Sequence, residues 1–135
     1  MRECLTLRSE LTEVARMKLW VEAVTAPLSP SSRTAHALQL CLEEAVTNVI
    51  SHAFLPGERH DIRIVLWGDE DLLHVEITDS GPAFDPLSHR LPVAPKELAL
   101  APIGGLGIKL MRSLADGITY RRCGANNRLT LSFRT

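Results

Sequence analysis

Residues 72–86, LLHVEITDSGPAFDP, decide how the chain is read. Within them Leu73, Val75, Ile77 and Asp79 share one parity, and His74, Glu76 and Thr78 share the other. Side chains of a strand alternate between the two faces of its sheet, so the aliphatic side is the buried one and Asp79 points with it. An unpaired carboxylate there would cost several kcal/mol, so Asp79 needs a partner. Two partners are open to it: its own backbone amides in an Asx-type turn, or a donor on a ligand such as an exocyclic amino group. Gly81, two residues on, would let that ligand approach the backbone closely.

Upstream, DIRIVLW (61–67) alternates in the same way, and GDED (68–71) joins the two runs as a hairpin. Before it the pattern changes to helical. A helix is expected from Ser31 or Ser32 to about Phe54, with an apolar stripe of Ala35, Leu38, Leu42, Ala45, Val49 and Ala53. An earlier helix is expected over Ser9–Val24, capped by Ser9 and apolar at Leu11, Val14, Ala15 and Leu19, after a short apolar stretch, CLTL. Downstream of Gly81, five prolines (82, 86, 92, 95 and 102) mark a long loop, and loops beyond about 12–15 residues are often functional lids or disordered. GGLGIKLMRSLAD (104–116) reads as a glycine turn plus helix, and GITYRRC and NRLTLSFRT as a closing hairpin around GANN (124–127). Strands and helices in this order predict one α+β domain over residues 1–135, a two-layer sandwich of a mixed, mostly antiparallel sheet with helices on one face.

The totals fit that picture. The chain has 135 residues, 45% of them hydrophobic, with 15 basic side chains against 16 acidic. Near neutrality gives no electrostatic reason to bind nucleic acid or an anionic membrane. No apolar run reaches the roughly 18 residues of a membrane span, and the charged start does not resemble a secretion signal, so a cytoplasmic protein is expected. Cys4, Cys41 and Cys123 are odd in number and widely spaced, which suggests buried thiols rather than disulfides or a zinc site.

Two further places call for a ligand. Glu44 and Asn48 lie four apart, stacked on one helix face at the border of the apolar stripe. An amide oxygen suits a hard cation such as Mg²⁺, and a carboxylate one turn away could take a proton; the same pair is also at home on a solvated face. Gly104, Gly105 and Gly107 open an amphipathic helix, and the unpaired amides of such a start suit phosphate, or the glycines form a simple hinge. Neither a Walker loop nor a dinucleotide fingerprint is present, because no Lys-Ser or Lys-Thr pair follows and Leu110 takes the third glycine's place.

In their order along the chain, these parts resemble the Bergerat-type (GHKL) ATPases shared by gyrase, histidine kinases and MutL, most closely the small anti-sigma-factor serine/threonine kinases of bacteria. EEAVTNVISHAF (43–54) is similar to the N box, ITDSGPAFDP (77–86) to the first glycine box and GGLGIKLMRSLADGITY (104–120) to the second. The resemblance implies ATP and Mg²⁺ as cofactors, with Asn48 on the metal and Glu44 as general base. It also implies Asp79 on the adenine amino group, Gly81 and Ala83 shaping that pocket, and Gly104, Gly105, Leu106 and Gly107 wrapping the phosphates under a lid of about 82–103. A sigma factor and a STAS-type anti-sigma-factor antagonist are the implied partners, the antagonist being phosphorylated on serine or threonine, with a homodimer compatible. The alternative is a nucleotide-gated protein-binding module that moves no phosphate.

Some positions depart from the family pattern. Ala83 stands where a glycine is common, Ser51 where histidine kinases carry a basic residue, and Arg128 and Leu129 where other members have Gly-Thr. Thr130 has the wrong parity to replace that threonine, and His52 reads as a packed or capping residue. Arg90 and Lys96 are the loop cations near enough in sequence to reach a γ-phosphate.

Overall fold

The computed structural model describes residues 1–53, 60–87 and 103–135, with 52–53 and 103–106 as backbone only. Five strands form one sheet: β1 (Arg2–Arg8), β2 (Asp61–Asp69), β3 (Leu72–Asp79), β4 (Gly117–Cys123) and β5 (Asn126–Arg134), in the order β1-β2-β3-β5-β4. Every pairing is antiparallel, so the expected mixed sheet is wholly antiparallel. Among the described residues the α-helices are α1 (Glu13–Thr25), α2 (Ser32–Asn48) and α3 (Ile103–Leu114).

Alternation in the strands builds the core. Ile62, Ile64 and Leu66 of β2 face the same way as Leu73, Val75 and Ile77 of β3 and Leu131 and Phe133 of β5, all at most 2% exposed. Register brings Ile64 opposite Ile77, Val75 opposite Leu131 and Leu73 opposite Phe133. Met17 and Val21 of α1, Leu38, Cys41, Leu42, Ala45 and Val46 of α2, and Ile108 and Met111 of α3 join the same cluster, so the helices cover one face. Fully burying each large aliphatic side chain stabilises by about 1.5–3 kcal/mol, which lets the core carry a few polar groups at its edge.

The second helix begins as its sequence predicts: Ser31 Oγ accepts the Thr34 N–H at 3.1 Å, an N-cap. Its α-helical part stops at Asn48, where the chain widens into a π turn over Val49–Ala53; the expected end at Phe54 lies outside the described residues. Its buried stripe is rotated towards Ala37 and Cys41, leaving Ala35 half-buried.

The first helix departs more. Ser9 is not its cap: Ser9 N–H donates to His60 O at 2.9 Å and Ser9 Oγ accepts the His60 N–H at 3.2 Å, extending the β1–β2 ladder. The helix starts at Glu13 and buries Met17, Val21 and Thr25, while Leu11 and Leu19 are 60% and 70% exposed. Helical period alone cannot say which of two apolar stripes turns inward when α1 carries both.

At the other end of the chain, Gly124, at φ 60, makes the β4–β5 turn with Ala125, and both asparagines of GANN belong to β5. Residues 88–102 of the expected lid, with Arg90 and Lys96, lie outside the described residues.

Candidate functional site

Asp79 ends the inward row of β3 and is 6% exposed. Two donors reach its Oδ1: the Gly81 N–H at 2.9 Å and the side-chain amide of Asn127 at 3.0 Å. Hydrogen bonds to a charged group contribute about 1.5–3 kcal/mol each, enough to offset the burial of the carboxylate. Among the described residues no hydrogen bond reaches Oδ2, which can accept a further donor. The turn that follows is held by its backbone. Gly81 O accepts from Arg122 Nη1 at 2.7 Å, Pro82 O from Asn127 Nδ2 at 2.8 Å, and the Phe84 N–H donates to Asn127 Oδ1 at 3.2 Å. Ala83 is exposed between these anchored peptides. Asp85 Oδ1 accepts the Leu87 N–H at 2.8 Å, and Arg112 of α3 donates to Leu87 O.

Glu44 and Asn48 lie in the second half of α2, away from its anchored start. Thr34 Oγ1 donates to Arg134 O at 2.7 Å, which pins the start of α2 beside the last residue of β5. From there a rise of about 1.5 Å per residue carries Glu44 and Asn48 roughly 15 and 21 Å along the helix axis. Both side chains are half-buried at the border of the core, as the spacing predicts. Burial, and then the neighbouring Glu43, raises the Glu44 carboxyl above its ordinary range. Cys41, one turn back, is fully buried, and burial followed by the charge of Glu44 pushes its thiol up to about 12, so it is inert near neutrality.

The third part, α3, presses its first turns against Glu44. A β-carbon at Gly107 would lie 3.2 Å from Glu44 Cδ, 3.3 Å from its Cβ and in collision with Oε2. The missing side chain of Gly107 therefore leaves the space that the Glu44 carboxylate occupies. The helix begins at Ile103, so Gly104, Gly105 and Leu106 lie inside its first turn rather than in a preceding glycine loop. The first four amides of a helix have no intrahelical acceptor, which puts donors and the positive end of the dipole beside Glu44. Carboxylate, amide oxygen and free helix amides together can hold a polyphosphate, its cation and a hydroxyl to be deprotonated.

The residue missed from the sequence is Asn127, 6% exposed and opposite Asp79 in the β3–β5 register. It shares parity with Leu129, Leu131 and Phe133, so the argument that singles out Asp79 applies to it equally. Reading GANN as a four-residue turn hid it.

The family model for the histidine kinase-like ATPase domain matches residues 7–133. The chain belongs to this family. The ATPase domain is 34% identical over 113 residues to the serine/threonine-protein kinase BtrW of Bordetella bronchiseptica, covering 84% of this chain and 80% of that one. It is 33% identical over 85 residues to the serine-protein kinase RsbW of Listeria innocua, covering 60% of this chain and 54% of RsbW. The domain thus spans about half of RsbW's length. Among solved structures, the RsbU and RsbW domains of a Mycobacterium tuberculosis protein superpose with a TM-score of 0.72 at 11% identity, over 99% of this chain and 32% of that one. The histidine kinase domain of a blue-light activated kinase from Erythrobacter litoralis gives 0.55 at 14% identity, over 91% and 59%. These place the α+β fold among histidine-kinase-like ATPase domains, a family whose name implies ATP as ligand. None of the described helices is long and apolar enough to cross a membrane.

Proposed function

We propose that this domain is an ATP- and Mg²⁺-dependent protein serine/threonine kinase of the anti-sigma type, which phosphorylates an antagonist protein and sequesters a sigma factor. The observation that carries it is Glu44, half-buried against the first turns of α3 with its carboxyl raised above the ordinary range. A base poised closer to neutrality takes a proton more effectively as the hydroxyl attacks. The names of the two relatives support the reaction class.

In this reading Asp79 accepts the adenine amino group, with Gly81 and Ala83 lining the base pocket. Gly104, Gly105, Leu106 and Gly107 bring backbone amides to the phosphates. The donor set fits Mg²⁺, which takes one or two protein oxygens and leaves the rest of its octahedron to phosphates and water; Asn48 would hold it. Its chemistry there is to neutralise charge on the β- and γ-phosphates. The substrate hydroxyl forms its bond to the γ-phosphorus as the bond to the β-bridging oxygen breaks, and its proton passes to Glu44. Positioning and charge neutralisation carry most of the catalysis in such transfers.

The test is incubation with labelled ATP, Mg²⁺ and candidate STAS-type antagonist proteins. Serine or threonine labelling that is lost in Glu44→Gln is expected. A folded protein that binds ATP yet labels nothing would leave the nucleotide-gated binding module as the reading.

A further inference from the structure

Asn127 makes more side-chain hydrogen bonds than its role as a strand residue explains. Its Nδ2 donates to Asp79 Oδ1 at 3.0 Å and Pro82 O at 2.8 Å, with Gly81 O further off at 3.4 Å. Its Oδ1 accepts from Tyr120 Oη at 2.5 Å, Arg122 Nη1 at 3.2 Å and the Phe84 N–H at 3.2 Å. The orientation of the amide follows from chemistry. Pro82 O and a carboxylate only accept, and a guanidinium and a backbone N–H only donate, so a flipped amide would set donor against donor. Arg122 also reaches Gly81 O at 2.7 Å and Gly124 O at 3.1 Å, tying the turn after Asp79 to the tip of the β4–β5 hairpin.

We propose that Asn127 is the positioning residue of the base-reading carboxylate: it holds Asp79 with Oδ1 committed to the protein and Oδ2 presented to the adenine amino group. Through Tyr120 and Arg122 it makes the β4–β5 hairpin part of the base pocket. The inference rests on the nucleotide reading above and adds to it a residue and an element.

The test is calorimetric titration with ATP at pH values from about 5 to 8, on the parent, N127D and Y120F, with thermal melts alongside. N127D substitutes a carboxyl group of the same shape. Protonated, it keeps one donor, enough for Asp79 though not also for Pro82 O; ionised, it has none and sets two carboxylates against each other. The ratio of variant to parent affinity cancels the titration of the phosphates themselves. That ratio should fall by about tenfold or more as pH rises across the range, the size of one pKa unit of coupling. A ratio independent of pH, in a folded N127D, would overturn the positioning role. If N127D does not fold at the upper pH, Y120F decides: it should weaken ATP binding by about threefold or more without lowering the affinity for GTP equally, and unchanged ATP affinity would overturn the proposal. A parent that binds no ATP would instead fail the underlying reading, a distinct result.

Discussion

Glu44 of α2 occupies the space that a side chain at position 107 of α3 would take, with Gly107's missing β-carbon 3.2 Å from the Glu44 carboxyl carbon. The Glu44 carboxylate fills the space left beside Gly107, at the first turns of α3. Gly107→Ala should separate function from stability. Alanine favours a helix by about 0.8–1 kcal/mol over glycine, and the clashing atom is the free end of a flexible side chain, so the melting temperature should change by only a few degrees. The displaced carboxylate should lower phosphoryl transfer at least about tenfold. Melting curves and labelling assays on one preparation check both.

Glu44→Gln should abolish most of the transfer, by roughly 10²–10⁴-fold, while nucleotide binding persists. It also carries a pH signature. Burial and Glu43 raise the folded-state pKa of Glu44 above its unfolded value. Between those two values the folded chain keeps a proton that the unfolded chain has lost, so stability falls as pH rises through that window. Below it both states are protonated and the effect vanishes. Glutamine has no such penalty. Thermal melts should show the Glu44→Gln variant gaining on the parent as pH rises above the ordinary carboxylate range, and matching it most nearly at acid pH.

Asn48→Ala should remove the dependence of ATP affinity on Mg²⁺. Asn48 is the last residue of α2 and half-buried, outside the apolar stripe, so the loss of stability should stay below about 1 kcal/mol. Titrations with ATP in Mg²⁺ and in chelator measure the linkage, and an undiminished Mg²⁺ effect would remove Asn48 from the metal.

Asp79→Asn should weaken ATP binding by about 1.5–3 kcal/mol, roughly ten- to a hundredfold. Its carbonyl can still accept from Gly81 and Asn127, which directs its NH₂ to the place where the adenine amino group must donate. The preference for ATP over GTP should shrink with it. Equal affinity of the unmodified protein for the two nucleotides would dismiss Asp79 as the base reader.

Along the strands, sequence and structure agree because the alternation of side chains is a covalent property of extended chain. Leu73, Val75, Ile77 and Asp79 therefore share a buried face whatever lies beside them. The border position of Glu44 and Asn48 follows in the same way from helical period. Local period is degenerate where α1 carries two apolar stripes, and Leu19 is the cost of choosing the wrong one.

The sequence by itself determined the two hairpins, the existence of the helices, the inward turn of Asp79 and the glycine-opened helix, since each depends on residues adjacent along the chain. Only the tertiary structure decided that Asn127 stands opposite Asp79 and that Gly107 lies on Glu44. Register between β3 and β5 and the approach of α2 to α3 depend on contacts between segments tens of residues apart, set by how the common core packs, and no local periodicity encodes them.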